Sequence, residues 1–142
     1  MKKFFIILIF LLGGMSCKDT PNNPNIPNVY INFSIDPNST MNYEINTVSG
    51  WMYVTEKWPS RGIIIYRYSQ NEFKAYERQS PNDPDHCGQN SRLIVESPFV
   101  IDTCLNIKYS ILDGSVLTQG YNGYPLIEYR TQYDGQILRV FN

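Results

Sequence analysis

Histidine occurs once in this chain, at His86, and cysteine three times, at Cys17, Cys87 and Cys104. No C-x-x-C pair is present, so the spacing of a thioredoxin-like redox motif is missing. A Cys–His nucleophile is not expected either. His86 and Cys87 are adjacent, neighbouring side chains of an extended loop point in opposite directions, and no third group orients the imidazole. Lysine and arginine together number 12 against 13 acidic residues and form no basic cluster, which leaves nothing to attract nucleic acid. No apolar run reaches the roughly 20 residues of a membrane-spanning helix. The chain also lacks an amphipathic helix of useful length and any internal repeat. What it does have is tyrosine, 11 of them, with abundant isoleucine and valine, a composition that suits sheet.

The first 17 residues, MKKFFIILIFLLGGMSC, place Lys2 and Lys3 before the apolar run Phe4 to Leu12, followed by small residues at Gly13, Gly14 and Ser16. Small residues ending directly at a cysteine resemble the lipobox of bacterial lipoproteins, with Gly14 in place of the usual leucine. The alternatives are a plain secretory signal cut nearby or a short buried helix. The resemblance implies a signal peptide over 1–16, cleavage before Cys17 and lipidation of that cysteine. Several acyl chains then hold the protein on a bilayer, each buried CH2 adding about 0.8 kcal/mol. Lys18-Asp19 looks loosely like an export signal for the outer membrane. The mature chain would have 142 − 16 = 126 residues, ten basic and thirteen acidic, for a formal charge of −3. That length suits one domain. Beyond the envelope-facing signal the compartment is oxidising, so paired cysteines are read first as a disulfide.

Residues 17–28 carry the lipidated cysteine and a Pro/Asn-rich stretch, DTPNNPNIPN, a stiff tether with little to bury. The domain then occupies 29–142. Val29 to Ile35 alternates as a half-buried strand. Met41 to Val48 is ambiguous, and Trp51 to Val54 is a strand candidate. Arg61 to Arg67 (RGIIIYR) is a continuous apolar run fit for a strand buried on both faces. Phe73 to Arg78, Arg92 to Glu96, Phe99 to Asp102 and Ile107 to Ser110 read as short strands. Residues 80–91, rich in proline and asparagine, must be loop. Leu126 to Tyr133 and Gln136 to Phe141 flank Asp134-Gly135, a two-residue hairpin signal. Nine or ten short strands imply an all-β barrel or sandwich.

GIIIYR, FKAYERQSPN, a second loop bearing Cys104, IKYSILDGS, a Gly-rich turn and PLIEY…DGQILRVF together resemble a Rieske-type domain. That family reads as a strand, an AYDR-like strand entering C-P-H or C-T-H, a loop C-P-x-H-G-S-x-F, a turn, a glycine-proline segment and a terminal hairpin. The likeness covers about Gly62 to Asn142. It implies a Rieske-like β-sandwich with a small subdomain made by two loops. Carried across, the first loop's Cys and His fall on Ser80 and Asn82. With Tyr109 in place of the family's Phe, the second loop's Cys and His fall on Asp102 and Leu105. A Rieske [2Fe–2S] centre needs two Cys and two His. None of the four positions offers either, and the mature chain holds too few such donors elsewhere. A degenerate member without cofactor is therefore expected.

In the high-potential branch of that family a disulfide ties the two loops, its second cysteine two residues after the ligand. Cys104 stands two residues after Asp102. Cys87 lies seven residues after Ser80 rather than five, so an insertion is needed. The resemblance implies a Cys87–Cys104 disulfide; two unrelated thiols are the alternative. Asp83, Asp85 and Asp102 could gather as ligands for a hard cation. Trp51, Trp58, Tyr121 and Tyr124 could form a stacking platform for sugar, although such aromatics more often pack the core. The resulting expectation is a non-catalytic envelope lipoprotein of the outer membrane, held by its lipid, with a protein or glycan partner. A thiol/disulfide carrier using Cys87 and Cys104, or a carbohydrate-binding lipoprotein, are the alternatives.

Overall fold

The computed structural model describes residue 23 and residues 29–86, 88 and 91–142. The signal segment 1–16, Cys17, the remaining tether residues and Cys87 lie outside the described residues. Among the described residues nine strands form, and every pairing is antiparallel: β1 (Asn32–Ile35), β2 (Trp51–Val54), β3 (Ile63–Arg67), β4 (Phe73–Glu77), β5 (Ile94–Glu96), β6 (Phe99–Asp102), β7 (Ile107–Ser110), β8 (Glu128–Tyr133) and β9 (Leu138–Phe141). They make a six-stranded sheet in the order β1-β9-β8-β4-β3-β2 and a three-stranded sheet β5-β6-β7. The all-β class read from the sequence stands. The observed fold is consistent with the Rieske-like β fold that the resemblance implies.

Strand β3 shows why the main sheet is covered on both sides. All five of its residues are buried. Side chains alternate across a strand, so Ile63 and Ile65 enter one core with Ile31, Ile45, Phe73, Ala75, Tyr129, Leu138 and Val140. Ile64 and Tyr66 enter the other, with Tyr76 and the residues of the small sheet, Val95, Val100, Ile107 and Tyr109. The continuous apolar run of this strand is the requirement of two cores meeting at one backbone.

Two charged side chains stop the first core at its two ends. Arg67 pairs with Phe73, and Ile63 pairs with Glu77. The two charges are thus four residues apart along the strand pair, about 13 Å. Arg67 is buried and donates to the carbonyls of Ile45 (3.2 Å), Asn46 (3.0 Å) and Gln70 (2.9 Å) and to Asn38 (3.3 Å). Its guanidinium lies 5.0 Å from the Phe73 ring centre. Glu77 accepts from the Ser60 hydroxyl (2.7 Å), the Tyr129 hydroxyl (2.8 Å) and the amides of Arg61 (2.9 Å) and Gln79 (3.0 Å). A buried charge is tolerated when hydrogen bonds replace its water; Glu77 has that replacement at both oxygens and Arg67 at both terminal nitrogens, while among the described residues the Arg67 Nε has no partner.

The structure adjusts several boundaries. The segment 40–45 is a kinked 3-10 turn that buries only Ile45, which accounts for its ambiguous pattern. The β8–β9 connection is four residues long, because Tyr133 pairs with Leu138. Asp134 accepts from the amides of Gln136 (2.8 Å) and Ile137 (2.7 Å), so its carboxylate caps the wider loop that a bare two-residue turn would not need. Gly135 takes φ 97° inside it.

Candidate functional site

Three loops meet beyond the far end of β4. The first follows Glu77 and returns to the small sheet where the Leu93 amide donates to the Arg78 carbonyl at 2.8 Å. The second joins β6 to β7, and the third is the Gly-rich segment around Tyr121 to Pro125. The four positions aligned with cluster ligands fall in the first two. Each is occupied by a group already engaged in holding the loops.

Ser80 is buried, and its hydroxyl oxygen stands 3.4 Å from the amides of Asn82 and Asp83, capping the turn that begins the first loop. Asn82 joins all three loops' supports. Its side-chain oxygen accepts from the Tyr124 amide (2.7 Å), while its side-chain nitrogen donates to the Tyr124 carbonyl (3.1 Å) and to the Tyr109 hydroxyl (2.8 Å). An asparagine amide can pair with a backbone amide in this reciprocal way because it carries both a donor and an acceptor. The fit is close. A Cβ on Gly123 would stand 2.3 Å from the Asn82 oxygen and 2.2 Å from the Tyr121 ring, so only glycine is admitted there.

Asp102 is also buried, and one carboxylate oxygen accepts from the amides of Cys104 (3.0 Å) and Leu105 (3.1 Å), closing the second loop. The other oxygen is buried and has no hydrogen-bond partner among the described residues. Leu105 is half-buried and packs against the second core. Burial pushes the Tyr109 phenol well above its ordinary range. The exposed rim carries Tyr121, whose phenol is raised first by burial and then by the carboxylates of Asp102 and Asp83.

As a donor set these positions do not suit a [2Fe–2S] centre. Ser80, Asn82 and Asp102 are oxygen or amide groups tied to backbone, and Leu105 has no donor. Cys104 is exposed and disulfide-bonded. The acidic side chains do not converge: His86 Nδ1 lies 3.5 Å from Asp83, and Asp85 faces Arg61 at 3.9 Å. Among the described residues no group of three potential metal ligands gathers. Of the four aromatics expected to form a sugar platform, Trp51 packs on Tyr53 at 5.0 Å against the core, Trp58 is exposed on the turn between β2 and β3, and Tyr121 and Tyr124 are exposed in the Gly-rich loop at the tip.

An arginine group beside the first loop was not legible in the sequence. Arg61 is buried and donates to the Ser91 carbonyl at 2.8 Å, and Arg92 donates to the Arg61 carbonyl at 2.9 Å. Arg78 lies 3.5 Å over the Tyr53 ring. Burial holds Arg61 and Arg78 below the usual arginine range, and Arg92 presses on both in the same direction. These contacts staple the loop to the main sheet.

No family model matches the chain, and no curated protein matches it. Among solved structures, one described as the small subunit of an NADH-dependent nitrite reductase from Mycobacterium tuberculosis is similar at 12% identity and a TM-score of 0.45. The match covers 81% of this chain and 97% of that one. Similarity at this level carries nothing further about the site.

Proposed function

We propose that the chain is a membrane-anchored envelope lipoprotein of the outer membrane, lipidated at Cys17, with a degenerate Rieske-like domain that binds no iron–sulfur cluster. In this reading it is not an enzyme. It is a binding or structural module that presents the three-loop tip to a protein or glycan partner, and nucleic acid is not among its partners. A Cys87–Cys104 disulfide takes over the closure of the two loops that a metal centre gives the family. Bridging a loop of this length is worth about 3 kcal/mol in the chain-entropy picture.

The observation that carries the proposal is Asn82. At a position where the family needs an imidazole, its amide is engaged by both backbone groups of Tyr124 and by Tyr109. Metal analysis of the protein purified from its own membrane is the test. The proposal requires no iron above background and a colourless protein; stoichiometric iron with visible absorption would end it.

The exposed, disulfide-bonded Cys104 favours one second reading, a reversible thiol/disulfide carrier using Cys87 and Cys104. Labile disulfides are typically exposed or strained. A midpoint potential in the range of cellular glutathione, with the domain folded in both states, would select the carrier; a bond resistant to glutathione would select the structural module.

A further inference from the structure

Strands β4 and β8 pair over only two residues, Ala75 with Tyr129 and Tyr76 with Glu128. Beyond Ala75 they part, bridged by the Thr131 hydroxyl, which donates to the Phe73 carbonyl at 2.8 Å. A cleft of about 510 Å³ opens there, at the end of β4 away from the three-loop tip. That volume is within the usual range for small-ligand sites, about 300–1,000 Å³.

Its floor is apolar and fixed. Leu138 and Phe73 are buried, and the Tyr133 ring lies edge-on to Phe73 at 5.1 Å. Its two rims carry exposed apolar groups, Tyr68 on the β3–β4 hairpin and Leu112 on the turn after β7, each 45% exposed. That second rim is held in place by Gly114, whose carbonyl accepts from the Leu126 amide at 2.9 Å. A Cβ on Gly114, at φ +72°, would meet the Tyr76 ring at 3.1 Å. The lining also includes planar polar groups: the amide of Asn71 and the carboxylates of Glu72 and Asp113.

The charges select the ligand. The cleft's cation, Lys74, is paired with Glu128 at 2.8 Å. Among the described residues no cation is paired with Glu72 or Asp113, so the lining carries two net negative charges. Asp113 is held ionised, below the usual carboxylate range, by the Ser115 hydroxyl and amide. Phosphate, sulfate and uronate groups are repelled. A neutral ligand with flat apolar faces and hydroxyl-bearing edges satisfies both surfaces at once, its faces on Tyr68 and Leu112 and its hydroxyls donating to the carboxylates. We propose that the cleft between β4 and β8 binds a neutral saccharide. The site is distinct from the loop tip and does not depend on the state of the tip.

Amide chemical-shift mapping of the full chain with neutral hexasaccharides of glucose, mannose and N-acetylglucosamine tests it, with an oligogalacturonate and spermidine as charged probes. The expected result is saturable shifts around Tyr68, Glu72, Asp113 and Thr131 with at least one neutral sugar and none with the uronate. Tyr68→Ala, an exposed position whose loss leaves the cores intact, should weaken that binding about ten-fold, the value of one lost stacking surface. The proposal is overturned by no saturable shift with any neutral sugar, by shifts at Trp58 or Tyr121 instead, or by binding indifferent to Tyr68→Ala. Shifts in the cleft with spermidine alone would make it a cation site and also overturn it.

Discussion

Replacing Asn82 with alanine removes the acceptor of the Tyr124 amide and the donors to the Tyr124 carbonyl and the Tyr109 hydroxyl. The three losses are unequal. Tyr124 is exposed, so water can replace both of its bonds, and each costs about 0.5 kcal/mol, the low end for a net hydrogen bond. The Tyr109 residue is fully buried, and stranding a buried polar group costs about 1–3 kcal/mol. Together these give about 2–4 kcal/mol, or a fall in Tm of about 8–16 °C for a domain of this size. Urea unfolding followed by tyrosine fluorescence measures it. Tyr109→Phe supplies the control: with the hydroxyl gone, Asn82→Ala should cost about 1 kcal/mol less than in the wild-type background. A loss under about 0.5 kcal/mol, the scatter of ordinary surface substitutions, would refute the assignment of Asn82 as the clip between the loops. So would complete additivity of the two changes.

Arg67→Ala leaves the carbonyls of Ile45, Asn46 and Gln70 without their buried donor and should cost about 3 kcal/mol or more, with Arg67→Lys intermediate, by urea unfolding. Glu77→Gln turns one of two acceptor oxygens into a donor facing donors and should cost about 1–3 kcal/mol in the same assay; an unchanged midpoint would show that Glu77 does not organise its four donors. Asp134 has its folded pKa depressed by the amides of Ile137 and Gln136, so its contribution is present above the unfolded aspartate value of about 4 and is lost as pH falls through the lower folded value. Amide exchange at Gln136 and Ile137 should therefore quicken, relative to the intrinsic rate, on acidification below pH 4 in the wild type and not in Asp134→Asn.

Short-range pattern carried most of the fold. The run Ile63 to Tyr66 announced a strand with two buried faces, and β2, β6 and β7 fall on the short segments read as strands. The hairpin at Asp134 was legible in position but not in length, because a carboxylate that caps two amides stabilises a four-residue loop that backbone preference alone does not select. Arg67 closes the apolar run Arg61 to Arg67. Its burial depends on carbonyls from a turn more than 20 residues earlier, and no local signal encodes that. The same limit applies at the tip. The sequence placed Ser80, Asn82, Asp102 and Leu105 by likeness to a family, yet Asn82 meets Tyr124 across 42 residues, a contact that neither spacing nor composition announces. Trp51 shows the reverse case. It was legible as aromatic and strand-borne, but which face it turned depended on Tyr53 and the second core.

In the proposed function the loop tip is built around an asparagine amide rather than around iron. Anaerobic reconstitution with ferrous iron and sulfide, followed by visible absorption and electron paramagnetic resonance after reduction, tests it most directly. The expected result is a colourless, resonance-silent protein whose unfolding midpoint is unmoved by the treatment. Two irons per chain with a reduced-cluster signal, lost on mutating Asn82 or Asp102, would contradict it.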